Sequence, residues 1–226
     1  MKHSIRNLIL SGGVAHEYRV TSRQISEILE KGNIDSEITE DLRILESSRL
    51  LEFDLLTLNC VRWSCQQTPD WKDWAFTIGP EQQMGLLRFL EVGKGMIALH
   101  AAVINFDTWP EYREILGGYW SWGESSHGPY ESGYRMHIVD KHHHITEQIG
   151  DFTIHDELYH SLRFTKLVHP LVITLWNEKI QPVAWTTEYA KTRIYYCALG
   201  HGVESFQSEE FKELLLKGAL WSSRIT

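Results

Sequence analysis

The residues with the most chemistry in them stand at the ends of apolar runs. Gly95-Met-Ile-Ala-Leu99 is a glycine-bounded apolar stretch that stops at His100 and continues into Ala101 and Ala102. A short run of this kind reads as a strand buried on both faces. A titratable side chain at its carboxyl end sits where open α/β sheets keep their ligands. Small residues after it permit a tight turn that projects the side chain, as in a nucleophile elbow. One histidine in such a place is more often a hydrogen-bonded core residue. Here the pattern repeats: His16 follows a run at residues 7–10, Arg62 a run at 53–60, and His201 a run at 195–199. If those strands are parallel, all four loops share one edge of the sheet.

Imidazoles change charge near neutrality, so His100 and His201 with a carboxylate form an acid–base set. Asp156-Glu157 supplies the carboxylate. Two adjacent acids among Phe152, Leu158 and Tyr159 need cationic partners or protonation. In extended backbone, neighbours point to opposite sides. Glu157 and Tyr159 then share one face, and Asp156 and Leu158 the other. Leu158 suits an inner apolar layer, which makes Glu157 the working carboxylate and Asp156 a structural one. In a helix this parity fails, and an acidic pair is as often a cap or a surface ion pair.

His16, Arg62, Trp109, His127 and Tyr159 are expected to line the pocket as substrate-binding residues. Aromatic rings suit the apolar faces of a sugar, and Arg and His donate to its hydroxyls. The same histidines offer a second chemistry. His16, His100 and His201 could ligate a divalent metal ion, with Glu157 as ligand or base, because three His with an open position is an established catalytic arrangement. Lys141-His-His-His144 aims its rings in different directions, and it reads as a solvated loop with one structural histidine.

The elements that must position these groups alternate in the first half. Strands are expected at 7–10, 36–39, 53–60 and 96–99. Helices are expected at 18–31, 41–49, from Pro80 to Gly93, and at 109–116, with Pro80 and Pro110 at helix starts. That order signals a helix-covered parallel sheet. The second half is richer in strands, at 134–139, 152–155, 168–175, 181–185 and 193–199, with Ser125-Ser-His127-Gly-Pro as a turn. An amphipathic helix at 209–221 closes the chain.

The 226 residues suit one domain, taken as 1–226, with neither internal repeat nor linker. A net charge of −8 argues against nucleic acid as a partner, since non-specific binding needs a basic footprint. No apolar stretch approaches the ~18 residues of a membrane span. The run Leu8-Ile-Leu10 is too brief for a signal-peptide core. Cys60, Cys65 and Cys197 are an odd count without repeated spacing, which suits a reducing compartment. A cytoplasmic protein with a small-molecule partner is the expectation, and a homo-oligomer is left open.

The motifs resemble the trehalose-utilisation (ThuA-like) proteins over most of the chain, most densely at 94–221. They run from Gly95-Met-Ile-Ala-Leu-His100-Ala-Ala through Trp109-Pro-Glu-Tyr112, Leu116-Gly-Gly118, His127 and Val139-Asp140. They continue with His143-His-Ile-Thr146, Asp156-Glu-Leu-Tyr159, Pro182-Val-Ala-Trp185, Tyr189-Ala-Lys-Thr-Arg193, Ala198-Leu-Gly-His201 and Trp221. Ala190 stands where the family usually has Gly, and His144 where Pro is usual. The resemblance implies a flavodoxin-like three-layer α/β/α sandwich with a mostly parallel central sheet, like class I glutamine amidotransferases. In those enzymes a catalytic cysteine occupies the elbow; here His100 does, which implies that glutaminase chemistry is absent. The family is tied to disaccharide catabolism by way of 3-keto sugars. On that basis His100, Glu157 and His201 are the expected acid–base set, with a divalent-metal hydrolase or isomerase, or a non-enzymatic sugar-binding or assembly module, as alternatives.

Overall fold

The computed structural model describes residues 4–224. The first half runs β1 (Ile5–Gly12), α1 (Tyr18–Glu30), β2 (Ile34–Thr39), β3 (Leu55–Cys60), α2 (Pro80–Glu91), β4 (Gly95–Leu99) and α3 (Pro110–Leu116). The second half runs β5 (Gly118–Tyr119), β6 (Ser126–Ile138), β7 (Phe152–His160), β8 (Arg163–Phe164), β9 (His169–Trp176), β10 (Lys179–Tyr189), β11 (Thr192–Cys197) and α4 (Glu209–Ser222). Two 3-10 turns, Leu42–Glu46 and Ser48–Glu52, stand where a short helix is expected.

Nine strands form one sheet in the order β2-β1-β3-β4-β11-β10-β9-β6-β7, while β5 and β8 pair separately. Every residue of β3 and β4 is buried, as the unbroken apolar runs require of strands covered on both faces. Tyr195 and Tyr196 locate the two covers. Tyr195 lies against Gly218 of α4, whereas Tyr196 packs on Trp185, whose indole N–H donates to Leu116 at the end of α3. Neighbouring residues of a strand face opposite ways, so α4 and α3 lie on opposite faces. α1 joins α4 on its side. The architecture is a three-layer α/β/α sandwich.

The sheet is less parallel than the sequence leads one to expect. β2, β1, β3, β4 and β11 are mutually parallel; β11-β10-β9-β6-β7 are antiparallel. The cause is connection length. Parallel neighbours need a crossover of a dozen residues or more, but β9 and β10 are joined by Asn177-Glu178, both left-handed at φ +48° and +63°. That is the geometry of a tight hairpin. β10 and β11 are joined by Ala190-Lys191, with Ala190 at φ +51°.

The β6–β7 pair brings the two halves together at one place. β6 is paired with β9 only at His137 and Ile138, and most of its remaining length pairs with β7. Register shifts between His127 and Tyr130, and between Ser132 and Tyr134, interrupt that pairing. Such bulges coil and bend a ribbon, and the bent arm returns β7 over the carboxyl edge of β4 and β11. The segment 125–129, expected as a turn, is therefore largely strand.

Candidate functional site

His100 occupies the turn from β4 into a 3-10 helix with φ +43°, a left-handed conformation that is uncommon outside glycine. Strain of this kind persists where surroundings fix it. Tyr196 Oη donates to the His100 carbonyl at 2.8 Å, and His100 Nδ1 lies 2.7 Å from the Ala198 carbonyl. A carbonyl only accepts, so Nδ1 carries a hydrogen; in the neutral ring Nε2 then presents a lone pair, and in the protonated ring it donates. The residue is 2% exposed.

His16 arrives on the loop after β1. Gly13 sits at φ +127°, and a Cβ there would meet the Val61 carbonyl at 2.6 Å, so only glycine lets the loop pass. His16 Nδ1 is 3.1 Å from the Val14 carbonyl and 3.0 Å from Tyr18 Oη. Its Nε2 is buried without a hydrogen-bond partner. Burial, then the nearby His100 and His201 imidazoles, lower its pKa to about 3, so the ring is neutral at physiological pH.

His201 follows β11 and is set by Asp156. Asp156 Oδ2 accepts from the Gly200 amide at 2.8 Å, and Oδ1 accepts from the His201 and Glu157 amides at 3.1 and 2.8 Å. Asp156 is fully buried, and burial pushes its carboxyl up against the opposing pull of His100 and these amides.

Glu157 points the other way along β7. Its Oε2 is 3.4 Å from His100 Nε2 and 3.2 Å from His201 Nδ1; its Oε1 is 2.9 Å from His127 Nδ1. Burial works to raise its pKa, but hydrogen bonds and charge from His100 and His201 outweigh it and hold the carboxyl well below the usual range. One potential ligand atom from each of His16, His100, Glu157 and His201 lies within 4.8 Å of the others, an arrangement that could hold a metal ion.

The structure thus gathers His16, His100, Glu157 and His201 into one cluster, with His127 and Tyr159 on its margin. His127 is half exposed, and the Tyr159 ring lies 4.2 Å from that of His100. Two expected pocket residues stand elsewhere. Trp109 is buried in the core at the start of α3, stacked on Tyr112 at 6.3 Å, with the extended backbone expected of the residue before a proline. Arg62 is not one of the four clustered side chains: its guanidinium reaches toward the Ser11 carbonyl at 3.5 Å and lines a cavity of about 370 Å³ with Glu40 and Trp74. A neighbouring cavity of about 360 Å³ shares Glu40 and Trp74 and reaches His16.

Sequence reasoning missed four contributors. Tyr18 contacts His16; Tyr130 packs on the His201 ring at 4.7 Å and donates to Glu204 at 2.6 Å; Trp120 packs on Tyr159 at 5.0 Å, with Trp122 behind it. The indole N–H groups of Trp120 and Trp122 are buried without partners. The alternation Trp120-Ser-Trp122 after a glycine pair was the available signal. Gly202 left none, yet a Cβ there would meet Tyr130 Oη at 2.5 Å.

Comparison with known proteins follows the same lines. The family model ThuA, described as trehalose utilisation, matches residues 6–222. The chain belongs to this family. Among curated proteins none matches. A ThuA-like protein from Parabacteroides merdae ATCC 43184 is 21% identical with TM-score 0.80, covering 98% of this chain and 90% of that one. A ThuA-like protein from Bacteroides uniformis ATCC 8492 is 19% identical with TM-score 0.75, covering 98% and 93%. A cytoplasmic protein from Salmonella typhimurium LT2 is 13% identical with TM-score 0.68, covering 97% and 99%. These likenesses are of fold. Ala190 is left-handed at φ +51°, a conformation that glycine adopts most readily. Among the described residues, no helix is long and apolar enough to cross a membrane.

Proposed function

We propose that this ThuA-family chain is a cytoplasmic enzyme of disaccharide catabolism, acting on a trehalose-type sugar or its 3-keto derivative at the His16–His100–Glu157–His201 cluster. The observation that carries the reading is the meeting of an ionised Glu157 with three imidazoles above the elbow turn. Family membership supports the sugar class. Removing a proton beside a ketone, or protonating a glycosidic oxygen, calls for groups that exchange protons near neutrality, and such groups contribute roughly 10²–10⁴-fold. Glu157, held ionised, orients His201 and His100, whose imidazoles exchange the proton; His127 bonds the outer carboxylate oxygen. The cavity beside His16 offers aromatic and polar walls to a sugar ring, and the buried Tyr159 backs His100.

Thiol chemistry has no place in this reading. All three cysteines are buried, and burial pushes Cys60 up to about 11 and Cys197 up to about 12. A thiolate is the nucleophilic form, so alkylating reagents are expected to leave turnover intact. The test is a turnover screen on trehalose, sucrose and their 3-keto derivatives, with and without divalent ions. Turnover of at least one, abolished by His100→Ala, is expected. Binding without turnover across the screen would replace the enzyme reading with a sugar-binding module.

A further inference from the structure

We infer that the four inward-facing side chains form a site for one transition-metal ion, ligated by His16 Nε2, His100 Nε2, His201 Nδ1 and Glu157 Oε2. This deepens the reading above by giving its centre an ion. Three distances carry it: His100 Nε2 to His201 Nδ1 is 3.2 Å, His201 Nδ1 to Glu157 Oε2 is 3.2 Å, and Glu157 Oε2 to His100 Nε2 is 3.4 Å. Bonds of about 2.0–2.1 Å to a tetrahedral ion place neighbouring ligand atoms about 3.3 Å apart. The triangle therefore has the edge length of one face of that tetrahedron.

Hydrogen placement adds an independent reason. The Ala198 and Val14 carbonyls engage the Nδ1 atoms of His100 and His16, which leaves both Nε2 lone pairs directed inward. Backbone carbonyls commonly fix the orientation of metal-bound histidines in this way. A hydrogen-bonded network accounts for the triangle, with His201 donating to Glu157, but not for His16, whose Nε2 is buried and unpartnered. An ion at the common centre uses that lone pair. His127 on Oε1 and Asp156 on the His201 amide then act as outer supports. Three imidazoles and a carboxylate suit Zn²⁺, Mn²⁺ or Fe²⁺, whereas Mg²⁺ and Ca²⁺ prefer all-oxygen sites.

The test is equilibrium dialysis of chelator-treated full-length protein against Zn²⁺, Mn²⁺ and Mg²⁺, with metal content read by mass spectrometry. One Zn²⁺ or Mn²⁺ per chain is expected, with Mg²⁺ not retained. His16→Ala and His201→Ala should each weaken retention about tenfold or more, whereas His169→Ala, outside the cluster, should not. Cobalt supplies a readout on the unaltered protein: tetrahedral coordination gives visible absorption that zinc displaces, which keeps the test decisive if a variant fails to fold. Absence of stoichiometric binding, or binding indifferent to both cluster variants, overturns the proposal. Chelator-insensitive turnover by metal-free protein overturns the ion yet leaves the sugar reading standing. A bound ion without turnover supports the ion and overturns the sugar reading.

Discussion

Two regions of the molecule are rich in histidine, and they differ in how the rings are spent. Near the end of β6, in the loop that follows and at the start of β9, imidazoles take separate partners. His137 pairs with Asp151 at 2.9 Å, His169 pairs with Asp140 at 2.8 Å, and His143 accepts from the Ile145 amide while packing on Trp221. At the carboxyl edge of β4 and β11, one carboxylate oxygen is shared by His100 and His201, and His16 turns an unpartnered Nε2 toward the same space. Density of histidine along the chain marks the first region; convergence of strand ends makes the second. Pairwise satisfaction is a structural use of imidazole, and a shared carboxylate with an unsatisfied lone pair beside it is a functional one.

The comparison breaks most readily at Asp156. Asn has one carbonyl oxygen and cannot accept from the Gly200, His201 and Glu157 amides as both Asp156 oxygens do. Asp156→Asn is expected to lower stability by about 1–3 kcal/mol, the range for a buried group left unsatisfied, read by urea denaturation. A change below about 0.5 kcal/mol, the level of an ordinary surface substitution, would mean that the His201 loop is held by other contacts.

A smaller effect is expected from pH in chelator-treated protein. His16 stays neutral in the fold down to about pH 3, while the unfolded chain takes up a proton near its ordinary value of 6.5. The unfolded state therefore binds more protons between those values, and stability falls as pH drops from 6.5 toward 3. His16→Asn should flatten part of that slope in urea unfolding between pH 7 and 5. Identical slopes would show that His16 is solvated as the loop histidines are.

The smallest effect belongs to the paired region. His137→Gln and His169→Gln remove partly exposed ion pairs and should change stability by no more than about 0.5 kcal/mol, with turnover unchanged. A larger loss of turnover from either would erase the distinction between the regions.

Much of this arrangement is legible in the chain because strand-end position is written in local pattern. The apolar run before His100, the parity of Asp156 and Glu157, and the loop after β11 each follow from a few neighbouring residues. The folding-over of β7 is not local. It depends on bulges in β6 and on a two-residue contact with β9, so the route by which Glu157 reaches His100 had no sequence signal. Trp109 and Arg62 misled for a related reason. Residue type suits them to a sugar pocket, but the inward turn of the residue before Pro110 and the reach of a guanidinium toward Ser11 are tertiary facts.

The most direct test of the central claim is the turnover of Glu157→Gln beside that of the unaltered protein, on whichever sugar or 3-keto-sugar the screen identifies. Glutamine keeps the size of the side chain and removes its charge. The expected result is a folded protein that binds the sugar within about tenfold of the original yet turns it over at least ~10²-fold more slowly, the scale of a lost acid–base group. Normal turnover by Glu157→Gln, with Asp156→Asn inactive but folded, would contradict the account and move the working carboxylate to Asp156.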